Sequence, residues 1–207
     1  MNDRYASGGE GEFQPGSDGQ VLRNLLEITD PQDMNEAETA LLHRLYQTVL
    51  EDDFPDWQVT VADLKHWHRL WLGNVYEWAG RERSVNLGKG GFHFAAAAQV
   101  PRLLGTFERD CLVPFTPCHL DETTAVAAIA KTHVEFILVH PFREGNGRLA
   151  RLLADVMATQ AGRGPLDYSS WDADKAAYIG AIHAGLVGDY APMQRCVAQA
   201  WWDAGED

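Results

Sequence analysis

The sequence predicts an all-α fold, a helical bundle with one short β-hairpin. Three observations carry this. Apolar residues recur near every 3.6 residues along most of the chain, and one stretch alone alternates apolar and polar positions about a glycine-rich turn. With 45% of its 207 residues hydrophobic, the chain can bury a sizeable core. The organisation expected is a flexible segment over residues 1–20, then a single domain over 21–207 with its core at about 60–195.

Taken in order, residues 1–20 hold Gly8, Gly9, Gly11, Pro15, Gly16 and Gly19, which disfavour regular structure. Residues 33–49 place Met34, Ala37, Leu41, Leu42, Leu45 and Val49 at helical spacing behind the start signal Asp30-Pro31. A second helix is expected after Thr60. It carries Val61, Leu64, Trp67, His68, Trp71, Val75 and Trp78 on one face and stops at Gly80. Residues 84–94, Ser-Val-Asn-Leu-Gly-Lys-Gly-Gly-Phe-His-Phe, read as the hairpin. Helical spacing resumes at 100–107 and 122–139, and Leu149, Leu152, Leu153, Val156 and Met157 form the stripe of a buried helix. Two last helices are expected at 172–186 and 191–202, before a solvated Gly-Glu-Asp end.

Composition narrows the function classes. Cys111, Cys118 and Cys196 are odd in number and lack metal-ligand spacing, so they read as reduced thiols. The first twenty residues contain no apolar run, which points to a cytoplasmic protein without a membrane anchor unless a secretion machine exports it. A formal charge of -13 opposes broad nucleic-acid binding, which needs clustered Lys and Arg. Any phosphate chemistry must therefore be local.

One loop supplies it: His140-Pro141-Phe142-Arg143-Glu144-Gly145-Asn146-Gly147-Arg148, followed by Arg151. Pro141 disfavours a helical His140, while Gly145 and Gly147 let the backbone turn and approach a ligand. The next helix then presents free amides, an anion site to which Arg148 and Arg151 add two guanidinium forks. Glu144 beside a polyphosphate implies Mg2+, which bridges phosphate oxygens. His140, with an ordinary pKa near neutrality, suits a general base for a hydroxyl attacking phosphorus. Asn146 can cap the helix or donate to a phosphate, and Phe142 can insert into the core. Any one of these residues alone is better explained as part of a helix start; eight specified positions together are not.

The segment resembles the Fic family pattern His-x-Phe-x-(Asp/Glu)-Gly-Asn-Gly-Arg-x-x-Arg without departure. Residues 70–83 resemble that family's helix leading into its flap and residues 84–94 the flap itself. Residues 21–30 are similar to the lead-in of bacterial Fic toxins, and Gly188-Asp-Tyr-Ala-Pro192 to a late motif. The resemblance covers most of residues 13–195. It implies a protein adenylyltransferase that moves AMP from ATP-Mg to a hydroxyl of a target protein. His140 would be the base and Glu144 the magnesium ligand. Gly145, Asn146 and Gly147 would hold the α- and β-phosphates, Arg148 the β-phosphate and Arg151 the γ-phosphate. The flap residues Gly88, Lys89, Gly90, Gly91, Phe92, His93 and Phe94 would pair with an extended target segment as an added strand.

Many Fic proteins carry an inhibitory Glu in the pattern (Ser/Thr)-x-x-x-Glu-(Gly/Asn), which binds the second motif arginine. Glu10-Gly11 comes nearest here, but the hydroxyl position is Ala6 and Ser7 is one residue off. The resemblance therefore implies a separate small antitoxin that supplies the Glu to Arg151, as in a toxin-antitoxin pair. Two alternatives stand beside adenylyl transfer. A kinase-like phosphotransferase is disfavoured by Gly147, where that branch has lysine, and a non-catalytic nucleotide- or partner-binding module is disfavoured by intact His140 and Glu144.

Other residues read more plainly. His133 shares a stripe with Val126, Ile129 and Ile137 and is expected in the core. His66 and His68 point to different sides of their helix, which disfavours joint metal ligation, and His68 is expected among the tryptophans. The resemblance sets Tyr178 and Ile182 near the adenine, although core packing is the simpler role.

Overall fold

The structure, a computed structural model, describes residues 10–204. Helix α1 (Pro31–Gln47) starts behind Asp30, whose carboxylate accepts from the N–H groups of Gln32 and Asp33, donors that a helix start leaves free. It runs on into a π-helical turn, Thr48–Asp52. Helix α2 (Val61–Leu72) has a full capping box, with Thr60 Oγ1 accepting from the Asp63 N–H while the Asp63 carboxylate accepts from the Thr60 N–H.

The flap follows as strands β1 (Gly88–Lys89) and β2 (Phe92–His93), antiparallel, with Gly88 opposite His93 and Lys89 opposite Phe92. Its tight turn requires left-handed backbone at Gly90 (φ 59°) and Gly91 (φ 83°). Helix α3 (Val100–Phe107) continues through a π-helical turn, Glu108–Leu112, into the short α4 (Val113–Phe115). Then come α5 (Glu122–Val139), α6 (Asn146–Gln160), α7 (Ser169–Ala173), α8 (Lys175–Ala184) and α9 (Ala191–Asp203).

Helix α5 is the axis of the bundle, packed by α3, α6, α8 and α9. Its sequence allows this, since Ala125, Ala128, Ile129, Ala130, Val134, Phe136 and Ile137 bury nearly its whole circumference. Leu149, Leu152 and Leu153 of α6 are also buried, each contributing about 2 kcal/mol of apolar transfer. The axis thus fixes the two helix ends between which the motif loop hangs.

Two expectations are corrected. Helix α2 stops at Leu72 rather than near Gly80: Gly73 caps it, and Val75, Tyr76 and Trp78 reach the core from successive turns that mimic helical spacing. Gly80 (φ 78°) instead lies against α2, where a Cβ would come within 2.9 Å of Lys65 O. The helix expected at 172–186 is broken at Asp174, whose non-helical backbone (φ -121°, ψ 71°) ends α7 and whose side chain caps α8 through the Ala177 N–H.

Residues 10–20 form turns that fold back along the chain. Phe13 bridges Leu22, the Gln14 N–H donates to Val21 O, and the buried Ser17 hydroxyl is held by Gln14 and Val21 carbonyls. Gly16 and Gly19, read as breakers, serve as left-handed turns there. The expectations for residues 1–9 and 205–207 lie outside the described residues. Cys111, Cys118 and Cys196 are free thiols, and no helix among the described residues is long and apolar enough to cross a membrane.

Candidate active site

The motif loop joins the end of α5 to the start of α6. His140 caps α5 in the left-handed region (φ 50°), an uncommon conformation for a residue other than glycine. Its Nδ1 lies 3.1 Å from Ile137 O. A carbonyl only accepts, so Nδ1 carries the proton and Nε2 is left with its lone pair. Phe94 of the flap stacks on the imidazole at 3.7 Å. Burial pushes the His140 pKa down to about 4, helped by the charges of Arg83 and Lys89 and opposed by the Ile137 carbonyl.

Phe142 is 1% exposed and stacks on His68 at 4.0 Å. His68 Nδ1 accepts from the Gly80 N–H, so its Nε2 must donate to Glu144 O at 3.1 Å. The side chain expected merely to pack with tryptophans therefore also holds the motif backbone. Gly145 sits at φ 80°, and a Cβ there would come within 2.6 Å of the Trp71 ring. Gly147 differs: a Cβ there would meet nothing within 4 Å and would project into open space.

Asn146 departs from expectation. Its Oδ1 accepts from the Phe142 N–H at 2.8 Å and one Nδ2 N–H donates to Phe142 O at 2.7 Å, so the buried amide fastens the motif turn and does not cap α6. Gly145 is the residue at the cap position.

The charged groups surround this turn. Arg148 Nη2 pairs with Glu38 of α1 at 2.7 Å, lies 3.7 Å from Glu144, and stacks over Trp71 at 4.6 Å. Glu38 is 5% exposed and accepts a second bond from the Tyr76 hydroxyl at 2.7 Å. Arg151 forks onto Asp172 at 2.7 and 3.2 Å and holds its carboxyl below the usual carboxylate range. Glu10, the nearest match to an inhibitory Glu, lies elsewhere: its carboxylate accepts from the Ser84 N–H and hydroxyl, and its carbonyl from Arg143 Nε.

A cleft of about 870 Å3 brings His140, Glu144, Gly145, Asn146, Gly147, Arg148 and Arg151 together with Gly88, Lys89, Gly90, Phe92 and Phe94 of the flap. Gly91 and His93 do not line it. Its far wall holds Trp171, Tyr178 and Ile182, with Trp171 and Tyr178 stacked at 5.0 Å. Buried His133 accepts from the Tyr178 hydroxyl at 2.8 Å, so this core histidine also anchors the wall. Sequence reasoning missed Glu38, Arg83, Trp171 and Asp172. All four are distant from the motif, and only a charged residue inside an apolar helical stripe, as Glu38 is between Met34 and Leu41, offered a signal.

Residues 58–158 match the sequence model of the Fic/DOC family. A probable protein adenylyltransferase of Sinorhizobium fredii is 29% identical over 84% of this chain and 87% of its own length. A probable protein adenylyltransferase Fic of Escherichia coli is 26% identical over 100% of this chain and 99% of its own. In fold, the N-terminal Fic domain of a VirB-translocated effector from a Bartonella species superposes with a TM-score of 0.79 at 17% identity, covering 97% of this chain and 95% of that one. The BepC protein of Bartonella tribocorum, solved with bound AMPPNP, gives 0.73 at 20% identity over 92% and 96%. Likeness in sequence and in fold extends over nearly the full length of the chain, whose residues 58–158 place it in the Fic/DOC family.

Proposed function

We propose that the protein is a protein adenylyltransferase that transfers AMP from ATP to a hydroxyl side chain of another protein, with the motif loop as its catalytic centre. The observation that carries this reading is the state of His140. Its Nδ1 proton is committed to Ile137 O, and its burial keeps Nε2 unprotonated, with its lone pair free beside the open start of α6.

The first turn of α6 suits a polyphosphate. The N–H groups of Asn146, Gly147 and Arg148 have no acceptor within the helix, and the helix dipole adds to them. Arg148 and Arg151 supply positive charge at the same cleft. The open space above Gly147 lets the phosphates approach the backbone.

Glu144 fits a magnesium ion shared with phosphate oxygens. Its side chain is 46% exposed, lines the cleft, and among the described residues is engaged only by the Gly145 N–H and, at 3.7 Å, by Arg148. Such an ion takes one or two carboxylates and keeps waters, and when bound it neutralises phosphate charge. Among the described residues no group of three acidic, His or Cys side chains holds a metal by itself, so the ion would arrive with the nucleotide.

In the reaction the target hydroxyl oxygen forms a bond to the α-phosphorus, and its proton passes to His140 Nε2. The bond from the α-phosphorus to the bridging oxygen breaks, and pyrophosphate leaves with the electron pair. Residues 88–94 would receive the target as an added strand, because main-chain pairing can place a hydroxyl with little demand on sequence. A separate small antitoxin supplying a Glu to Arg151 would compete with Asp172 for the fork. The proposed location is the cytoplasm.

The test is label transfer from ATP carrying the label on either the α- or the γ-phosphate, with Mg2+ and cell lysate. Incorporation of the α-label supports adenylyl transfer; incorporation of the γ-label alone would sink it.

A further inference from the structure

Arg83 stands at the neck of the flap and is 2% exposed. Its Nε donates to His140 O at 2.6 Å, its Nη1 to Val85 O at 2.7 Å, and its Nη2 to Ala95 O and, at 3.3 Å, to Val139 O. Its backbone N–H donates to Pro141 O at 2.9 Å. These acceptors fall into two groups. Val85 and Ala95 flank the hairpin on its two sides, while Val139, His140 and Pro141 carry the chain out of α5 into the motif loop.

The carbonyls at the end of α5 are ones that a helix leaves unsatisfied, at the negative end of its dipole, so a cation is favoured there. A guanidinium presents donors in a rigid planar fork and can reach three chain segments at once; an ammonium is a point and cannot. The same two groups touch a second time where Phe94 stacks on His140 at 3.7 Å and the Ala95 N–H reaches Leu138 O at 3.4 Å.

We propose that Arg83 is a positioning residue that ties the flap and His140 into one rigid unit, so that a target segment laid along residues 88–94 arrives at a fixed distance from His140 Nε2. This rests on the reading of the flap and base given above. Nucleotide is held by a different part of the molecule, the start of α6, and Arg83 does not line the cleft. Its loss should therefore uncouple flap from base and spare the nucleotide.

Native-state hydrogen exchange on the unaltered protein is the first test. The amides of Phe94, bonded to Leu87 O, and of Phe142, bonded to Asn146 Oδ1, should open together with equal protection. In Arg83→Lys and Arg83→Gln, Phe94 protection should fall by about tenfold or more. The His140 imidazole, faced also by Lys89 from the flap, should titrate nearer its ordinary value than about 4, read by NMR. Affinity for AMPPNP with Mg2+, measured by calorimetry, should change by less than about threefold, well under 1 kcal/mol. Phe94 opening far more readily than Phe142 in the unaltered protein would overturn the proposal. So would a folded variant with flap protection and His140 titration unchanged, or one that lost AMPPNP affinity in step with flap protection. If neither variant folds, exchange in the unaltered protein decides. Failure of α-label transfer would sink the adenylyltransferase reading but leave these readouts standing.

Discussion

Glu38 and Arg148, from the first and sixth helices, form a 2.7 Å ion pair in which the carboxylate is almost wholly buried and the guanidinium rests on Trp71. Two consequences follow for Arg148→Ala. Loss of a charged hydrogen-bonding partner should weaken AMPPNP binding by about 2 kcal/mol. It should also leave Glu38 buried without its cation, lowering stability by about 2–4 kcal/mol. Calorimetric titration and urea unfolding separate the two, and unchanged stability would show that Tyr76 alone suffices for Glu38.

Gly145 and Gly147, two residues apart, should respond oppositely to alanine. Gly145→Ala meets both a left-handed backbone and the Trp71 ring, and should cost about 2–4 kcal/mol of stability. Gly147→Ala adds a helix-favouring Cβ in open space and should hold or raise stability by up to about 1 kcal/mol. The same Cβ should obstruct the phosphates, weakening AMPPNP by at least about tenfold, or 1.4 kcal/mol. Thermal melts paired with nucleotide binding check both; equal behaviour of the two variants would remove the distinction.

His140→Ala should lower α-label transfer by roughly 10^2 to 10^4 while leaving AMPPNP binding nearly intact. A loss below about tenfold would deny it the role of base. Because burial holds the imidazole at about 4, the acid limb of the free enzyme should fall well below the ordinary histidine range.

Stability should fall steeply on acidification. Burial pushes His68, His133 and His140 each to about 4, so from about pH 6.5 downward the unfolded chain takes up three protons that the folded one refuses. Their contribution is complete above that range and is lost as pH falls toward 4. Asp155, buried beneath Tyr46 and Tyr168, is raised to about 6 and works the other way, binding a proton in the folded state first. The net of about two protons gives a slope on the order of 3 kcal/mol per pH unit. Urea midpoints measured from pH 6.5 to 4.5 should follow it, and a flat profile would contradict the burial of these imidazoles.

Asp172→Asn should release the Arg151 fork. Affinity for ATP should then rise by a few-fold, since the exposed pair is worth well under about 1 kcal/mol. If ATP binds no more tightly to the variant, the fork and the nucleotide do not compete.

The helices and the motif were legible in the sequence because each is local. The stripes of α5 and α6 announce which faces are buried, and the spacing of residues 140–148 announces a turn between two helices whose motif side chains share one cleft. What was not legible depends on chain segments meeting. Val75 and Trp78 continue the spacing of α2 through turns, and only the fold shows that Gly73 has already ended the helix. Asn146 has the same polar amide whether it faces phosphate or the Phe142 backbone. Glu38 and Asp172 lie 110 and 21 residues from the arginines they hold, and no local pattern couples them.

The contact between Gly145 and Trp71 also constrains how this site could change over evolutionary time. A side chain at position 145 needs a smaller residue at 71, and that smaller residue would remove the aromatic surface on which Arg148 rests and the indole N–H that donates to Glu38 O at 2.8 Å. A compensating pair of substitutions could therefore restore packing while leaving Arg148 adrift. Positions 71, 145 and 148 are therefore coupled, and a change at one alters the surroundings of the other two.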